Sequence, residues 1–495
     1  MERVLVEPDF DMLIVGAGLS GIGMAAHLQL KLPGTSYAIL ERRERIGGTW
    51  DLFRYPGIRS DSDMYTLGFE FEPWTHAKAI AGGPDILEYL DRVVDKYAIR
   101  PHIQHDTTVI SADFKHQDAC WHVEVESGGQ RKTLTTRWLH LGSGYYDYDD
   151  PHDAGFDFSG FSGQVVHPQF WPKALDYAGR NVVVIGSGAT AVTLVPAMTG
   201  KAAHVTMLQR TPTWMASSPA RDPIAHFLRR ILPARTAFRL TRAKNVFIGD
   251  WFFKRARSHP DKVVRMLKKA LRKALGPDYD DASFTPPYGP WDQRLCLVPD
   301  NDLFLAMRRK QADIITGQIE CFVGDGVQLS DGRKLPADII VTATGLRLSF
   351  GGKIKLSLEG APIDVTQHYF YKSCMFSNLP NLSFAFGYLN ASWTLRVDLI
   401  SDYICDVLRL MQERNAVIAK PALNAKEEAR MEIDDPIAFS SGYLQRGKHL
   451  IPKSAAEMPW RLAQNYRQDR AFMRHAPVDD GVLVFDKAQA QLDIA

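Results

Sequence analysis

The chain has 495 residues, 45% of them hydrophobic and 23% charged, enough for two to three domains around a large buried core. A net charge of +2 gives no global reason to expect nucleic acid, and no apolar run approaches the ~20 residues of a membrane-spanning helix. Five widely spaced cysteines (Cys120, Cys296, Cys321, Cys374, Cys405) offer neither metal-ligand spacing nor a CxxC redox pair. Reduced thiols in a cytoplasm-like compartment are expected. The opening MERVLVEPDF carries two glutamates and an aspartate and lacks the apolar segment of a secretory signal, so the expectation is a cytoplasmic protein, soluble or attached to a surface.

Met12 to Val15 reads as a short buried parallel strand. It feeds into Gly16-Ala-Gly18-Leu-Ser20-Gly21 and a helix-forming run, IGMAAHLQL. A second strand, Tyr37 to Leu40, ends at Glu41, the spacing of the dinucleotide fingerprint. Gly16 allows the tight turn, Gly18 lets the backbone approach a pyrophosphate, and Gly21 lets helix pack on strand. The pyrophosphate would sit at the helix N-terminus, with Glu41 accepting from a ribose hydroxyl.

The run that follows, GGTWDLFRYPGIRSDSDMY, is rich in Gly, Pro and aromatics and reads as a loop of functional length. Its pattern Gly48-x-Trp50-x4-Tyr55-Pro56-Gly57-x3-Asp61 resembles the flavin-covering motif of Baeyer–Villiger monooxygenases. That resemblance implies that Thr49 and Trp50 contact a flavin, that Arg59 and Ser60 lie near the nicotinamide, and that Asp61 belongs to the active site. Residues 84 to 145 hold a helix and then alternating runs, TTVISADF and CWHVEVES, expected to form an antiparallel meander. Val109 matches a position that contacts the adenine end of FAD in the family, and it reads equally as a plain core valine of its strand.

A second strand-to-loop unit begins at Asn181 to Ile185 and continues into Gly186-Ser187-Gly188-Ala189-Thr190-Ala191. Ala191 replaces the third glycine, a looser helix–strand contact that the fingerprint permits. The next strand ends at Arg210 where an NAD-binding chain would present an acid. A guanidinium pairs with a 2′-phosphate that a carboxylate would repel, so NADPH is preferred over NADH, with Thr211 adding a hydroxyl. Between Arg221 and Lys273 stand 16 Lys and Arg against 3 acids, interleaved with apolar residues at near-helical spacing. This insert suits a solvated helical subdomain, a lid over the substrate, or a peripheral membrane contact.

Two adjacent nucleotide sites imply hydride transfer from NADPH to FAD, and without a redox cysteine pair molecular oxygen is the natural acceptor. The stretch Phe161-x-Gly163-x3-His167-x3-Trp171-Pro172 is similar to the Baeyer–Villiger fingerprint at every fixed position. His167 is expected to hold the linker between the two domains. In PPYGPWDQRLCLVP, Arg294 matches an arginine that reaches the flavin in that family. It would stabilise a C4a-peroxyflavin anion, oriented by Asp61, and Gln293 replaces a frequent lysine. Ala343-Thr344-Gly345 resembles the hinge back to the first domain, Trp393 either borders the flavin or packs the core, and Trp460 is expected on a loop closing over NADPH.

The resemblance spans the chain and is strongest to the ethionamide-activating type of these monooxygenases. It implies an α/β fold of two Rossmann-like dinucleotide-binding domains (FAD and NADPH) with a helical insert. The expected division is 1–147 and 346–495 for the FAD-binding domain, 148–218 and 286–345 for the NADPH-binding domain, and 219–285 for the basic helical insert. The implied reaction inserts oxygen from O2 beside the carbonyl of a small-molecule ketone, with thioether sulfoxidation as a side activity. An N- or S-oxygenating flavin monooxygenase, or a non-catalytic NADPH-responsive flavoprotein, remains open on these residues.

Overall fold

Each continuous apolar run that precedes a glycine turn is a strand whose last four residues are buried, Phe10–Val15 in one sheet and Asn181–Ile185 in another. The computed structural model describes residues 7–435, 437 and 439–487. The first six residues of the N-terminal segment read above lie outside them.

In the first sheet, Phe10–Val15 runs parallel between Tyr37–Leu40 and the end of Gln130–Leu141. Ile103–Gln104 extends one side, and Leu382–Phe384 also pairs with Leu139 to Leu141. The start of Gln130–Leu141 belongs instead to an antiparallel meander with Cys120–Ser127 and Thr107–Lys115. Lys355–Leu358 continues that edge. In TTVISADF a register shift between Val109 and Ser111 breaks the alternation and so places Val109, Ala112 and Phe114 together in the core beneath the meander.

The second sheet is all parallel, in the order Ala312–Thr316, His204–Gln209, Asn181–Ile185, Ile339–Thr342, Gln164–Val166. Its outermost strand is the surprise. Gln164–Val166 lies inside the fingerprint stretch, so much of the expected linker is an edge strand with its own ladder to Ile339, Ile340 and Val341. A side chain on Gly163 would crowd both the carbonyl of Asp338 and the ring of Phe161, which explains the glycine. His167 acts locally: its Nδ1 accepts from the amide of Gln169 at 3.2 Å and caps the turn Pro168–Phe170. Gln169, not His167, reaches back to the inter-sheet segment, donating to the carbonyl of Asp147 at 2.8 Å.

The insert forms helices Pro223–Ile231, Ala234–Ser258 and Pro260–Leu275. Val263, Leu267, Leu271 and Leu275 recur every four residues and are the buried stripe of the last one. The middle helix is pinned by Arg242, which is buried despite its place in a basic run. Its guanidinium donates to the carbonyls of Tyr65 (3.0 Å) and Gly68 (2.7 Å) and pairs with Asp398 at 3.0 Å. Asp398 lies on Thr394–Arg414, the helix that packs against the first nucleotide helix, Leu19–Lys31.

Candidate active site

A cavity of about 1240 Å³ runs between the two glycine loops and is walled by residues from both sheets. At its first end Gly16 takes φ +95°, and its near neighbours are the backbone atoms of Gly142 and Ser143. A Cβ on Gly18 would meet the Cα of Gly48 at 3.6 Å, so two backbones approach each other with no side chain between them. Glu41 is buried and spoken for: its Oε2 accepts from the amide of Ala17 at 2.7 Å and its Oε1 from that of Arg43 at 2.9 Å. It therefore clamps the loop while still lining the cavity, where a ribose hydroxyl would share its remaining lone pairs. Burial raises its pKa in spite of these two bonds.

Thr49 and Trp50 sit on a single helical turn, Thr49–Leu52, where a loop was expected, because Gly47 and Gly48 both take positive φ and reverse the chain into it. Thr49 Oγ1 lies 2.9 Å from the hydroxyl of Tyr148. The Tyr-Pro-Gly segment then crosses to the second sheet. A Cβ on Gly57 would lie 2.5 Å from that of Ala197, on the helix Ala189–Met198 that follows the second glycine loop. Burial pushes the Tyr55 phenol up to about 12, opposed by its hydrogen bond with Thr190. Arg59 pairs with Asp302, so the residue expected near a nicotinamide also ties the loop to the other half of the molecule. Ser60 Oγ donates to the carbonyl of Ser62 at 2.7 Å.

Asp61 and Arg294, 233 positions apart, meet in the cavity wall with Oδ2 and Nη2 3.1 Å apart. Each side chain is about one third exposed, 35% and 31%, so the pair faces the space rather than the core. The charge of Asp61 raises the pKa of Arg294 against the cost of its burial, and the cation persists at any working pH.

At the far end, Gly186 takes φ +136° and Gly188 has open space where a Cβ would be. Ser187 Oγ donates to the carbonyl of Thr211 at 2.9 Å. Arg210 is exposed, lines the cavity and has no carboxylate partner among the described residues. Ala189 and Thr190 also line the cavity. Gly21 and Ala191 do not, and both work through packing: a Cβ on Gly21 would fall well inside contact distance of the Gly16 carbonyl, whereas Ala191 is fully buried with its methyl accommodated.

Trp393 does both, packing against two apolar cores while bordering the cavity. It lines the wall, donates from Nε1 to Ser20 Oγ at 2.9 Å and stacks on Tyr145 with centroids 5.0 Å apart. Trp460 does not reach the site. It is buried against Tyr371 at 5.5 Å in the core of the first sheet, so no loop carries it over the second glycine loop.

Three tyrosines were not anticipated. The Tyr145 and Tyr146 hydroxyls lie 2.8 Å apart, and Tyr443 comes from the one-and-a-half-turn helix Gly442–Gly447, its ring 6.4 Å from that of Tyr146. All three line the same wall as Arg294, and burial drives the first two phenols upward. The Gly-Ser-Gly-Tyr-Tyr run after Leu141 was the available signal for the pair.

The donor set suits two dinucleotides. Each loop offers a glycine-lined backbone at a helix N-terminus. The hydroxyl oxygens of Ser143 and Thr344, both on lining residues, are buried with no partner among the described residues, as polar walls awaiting a ligand would be. All five cysteines are free, so no thiol pair competes for electrons.

Residues 13–227 match the family described as pyridine nucleotide-disulphide oxidoreductase. The FAD-containing monooxygenase EthA of Mycobacterium tuberculosis (strain ATCC 25618 / H37Rv) is 46% identical over 98% of this chain and 99% of its own. The probable FAD-binding monooxygenase AlmA of Acinetobacter baylyi is 45% identical over 97% of both. Among solved structures, oxidized steroid monooxygenase bound to NADP superposes with a TM-score of 0.77 at 19% identity, covering 97% of this chain and 99% of that one. An ε-caprolactone-bound cyclohexanone monooxygenase gives 0.72 at 20% identity, covering 96% and 99%. With full-length relatives at this identity, the chain belongs to the FAD-containing monooxygenases of the EthA and AlmA type.

Proposed function

We propose that this enzyme uses NADPH and O2 to insert one oxygen atom beside the carbonyl of a small-molecule ketone, giving an ester or lactone, and that it also oxidises thioethers to sulfoxides. The observation that carries the reading is the Arg294–Asp61 ion pair in the wall of a cavity that joins both glycine loops. The loop 16–21 with Glu41, Thr49, Trp50 and Val109 would hold FAD, which would supply the oxygen-activating chemistry. NADPH would be held by residues 186–191, with Arg210 and Thr211 taking its 2′-phosphate and Arg59 and Ser60 bordering its nicotinamide.

The protein's own part is electrostatic. Arg294 keeps a fixed positive charge where negative charge builds on oxygen during transfer, and Asp61 fixes the direction of the guanidinium without neutralising its outer face. The stacked Trp393 and Tyr145 and the paired phenols form a wall that excludes water from that charge, which strengthens its effect. The domain division at 147, 218, 285 and 345 belongs to the same proposal. Replacing Arg294 with Ala should leave reduction of the flavin by NADPH largely intact while lowering ester formation at least about 100-fold, the scale of one lost oxyanion donor. Mass spectrometry of products from a ketone panel and a paired thioether is the measurement. Full ester yield from Arg294→Ala would refute the assignment, and products from the thioether alone would move the enzyme to the N- and S-oxygenating group.

A further inference from the structure

We propose that the helical insert is a docking surface for an anionic lipid bilayer. Ile224, Phe227 and Ile231 recur at i, i+3 and i+7 along Pro223–Ile231, on one face, and each is more than half exposed. On Ala234–Ser258, Leu240, Phe247 and Trp251 follow at i, i+7 and i+11. That row lies on the side of the helix opposite Phe238, Arg242 and Ala256, which are buried against the body of the protein. Phe227 is 61% exposed and Trp251 56%. A helix that already buries one side has no folding reason to carry large apolar groups on the other.

The charge pattern says what covers them. The insert holds 16 Lys and Arg against 3 acids between Arg221 and Lys273 on a chain whose total is only +2, so the rest of the molecule is acidic. Several of these cations are spent on the protein itself, such as Arg242 on Asp398 and Lys268 on Asp281. Arg230, Arg255, Lys262, Arg265, Lys269 and Lys273 have no carboxylate partner among the described residues. A second copy meeting the insert face to face would set two strongly positive surfaces together. Nucleic acid would satisfy the cations but not the aliphatic row. A bilayer supplies both partners, anionic headgroups for the cations and an apolar boundary for Phe, Trp, Ile and Leu. No helix among the described residues is long and apolar enough to cross a membrane, so the contact is peripheral.

The surface lies behind the active-site wall. Phe253, on the same middle helix, packs edge-on against Trp291 at 5.4 Å, three residues from Arg294. The docking claim does not depend on the reaction assigned above and is tested apart from it.

The experiment is flotation of the purified, flavin-loaded enzyme with vesicles of phosphatidylcholine alone or with about 30% phosphatidylglycerol, at low and high salt. Binding to the anionic vesicles that falls steeply with salt is expected. Phe227→Ser with Trp251→Ser, and separately Lys262→Glu with Lys269→Glu, should each weaken it at least tenfold. Flavin content and melting temperature should stay unchanged in both double variants, which reports that folding is intact. The proposal is overturned by no binding to anionic vesicles at low salt, by equal binding to neutral ones, or by binding that neither pair of substitutions alters. It is also overturned if light scattering shows the apolar substitutions dissolving a self-associated species while vesicles are ignored.

Discussion

At the first glycine loop the acid ending the neighbouring strand turns inward, and at the second the base in the same position turns outward. Glu41 is buried and holds the amides of Ala17 and Arg43, so it builds the loop that it serves. Arg210 is exposed and has no carboxylate partner among the described residues. The helices differ in the same way. Leu19–Lys31 is buried over ten consecutive residues and locked to Thr394–Arg414 through His27, whereas Ala189–Met198 opens with Ala189 exposed and Thr190 half-buried. Under the proposed cofactor assignment, the first loop would keep its ligand and the second would exchange it. That matches a flavin retained through every cycle and a nicotinamide exchanged in each.

The largest effect should come from closing the space under the first loop. Gly21→Ala puts a methyl against the Gly16 carbonyl, backbone against side chain with nothing flexible to yield. The helix must move, and the proposed pyrophosphate seat would move with it. Purified Gly21→Ala should carry little or no flavin, read from its visible absorbance. A stoichiometric flavin content would mean that the loop is less rigid than its packing implies. At the second loop the matching test is a lost contact. Arg210→Ala should raise the KM for NADPH about 10–100-fold, the cost of one or two charge-assisted bonds, and leave that for NADH nearly unchanged. An equal rise for both cofactors would place Arg210 off the 2′-phosphate.

Both loops were legible because their signals are local: a buried strand, a glycine turn and a helix lie within about twenty residues of each other. Arg294 and Asp61 could be paired only through resemblance, since no local pattern joins residues 233 positions apart. The wall of Tyr145, Tyr146 and Tyr443 was missed for the same reason, as Tyr443 arrives on a short helix almost three hundred residues later. The proline-containing fingerprint read as a linker because three residues of edge strand, Gln164–Val166, are too few to announce themselves. Charge runs misled in another way. Arg242 looks like its exposed neighbours in sequence, and only the fold shows it buried on three carbonyls and Asp398.

The locked helix should also respond to pH. Burial alone would lower the pKa of His27, but Asp398 and Asp402, 3.3 and 2.8 Å from its two nitrogens, outweigh it and raise the value to about 9. Lys31, Arg242, Arg474 and Glu70 complete the network around those two acids. With the folded pKa above the unfolded one of ~6.5, the contribution is fully present below that value and is lost as pH rises through about 9. The melting temperature should therefore fall between pH 7 and pH 9.5, and His27→Gln should flatten that slope. An equal slope in both proteins would assign the loss to other groups.

The smallest effect isolates what the missing third glycine means. At position 191 a methyl is already present and fully buried, so Ala191→Gly removes a packed group without opening a clash or touching the cavity wall. The substitution should cost about 0.5–1 kcal/mol through helix propensity, plus the packing of one small group. That corresponds to a fall of about 2–4 °C in melting temperature for the unit concerned, with the KM for NADPH unchanged. If restoring the glycine instead tightened NADPH binding, the Ala191 methyl would be holding this helix off its strand. The openness of the second loop would then be set by that single side chain rather than by the free space around Gly188.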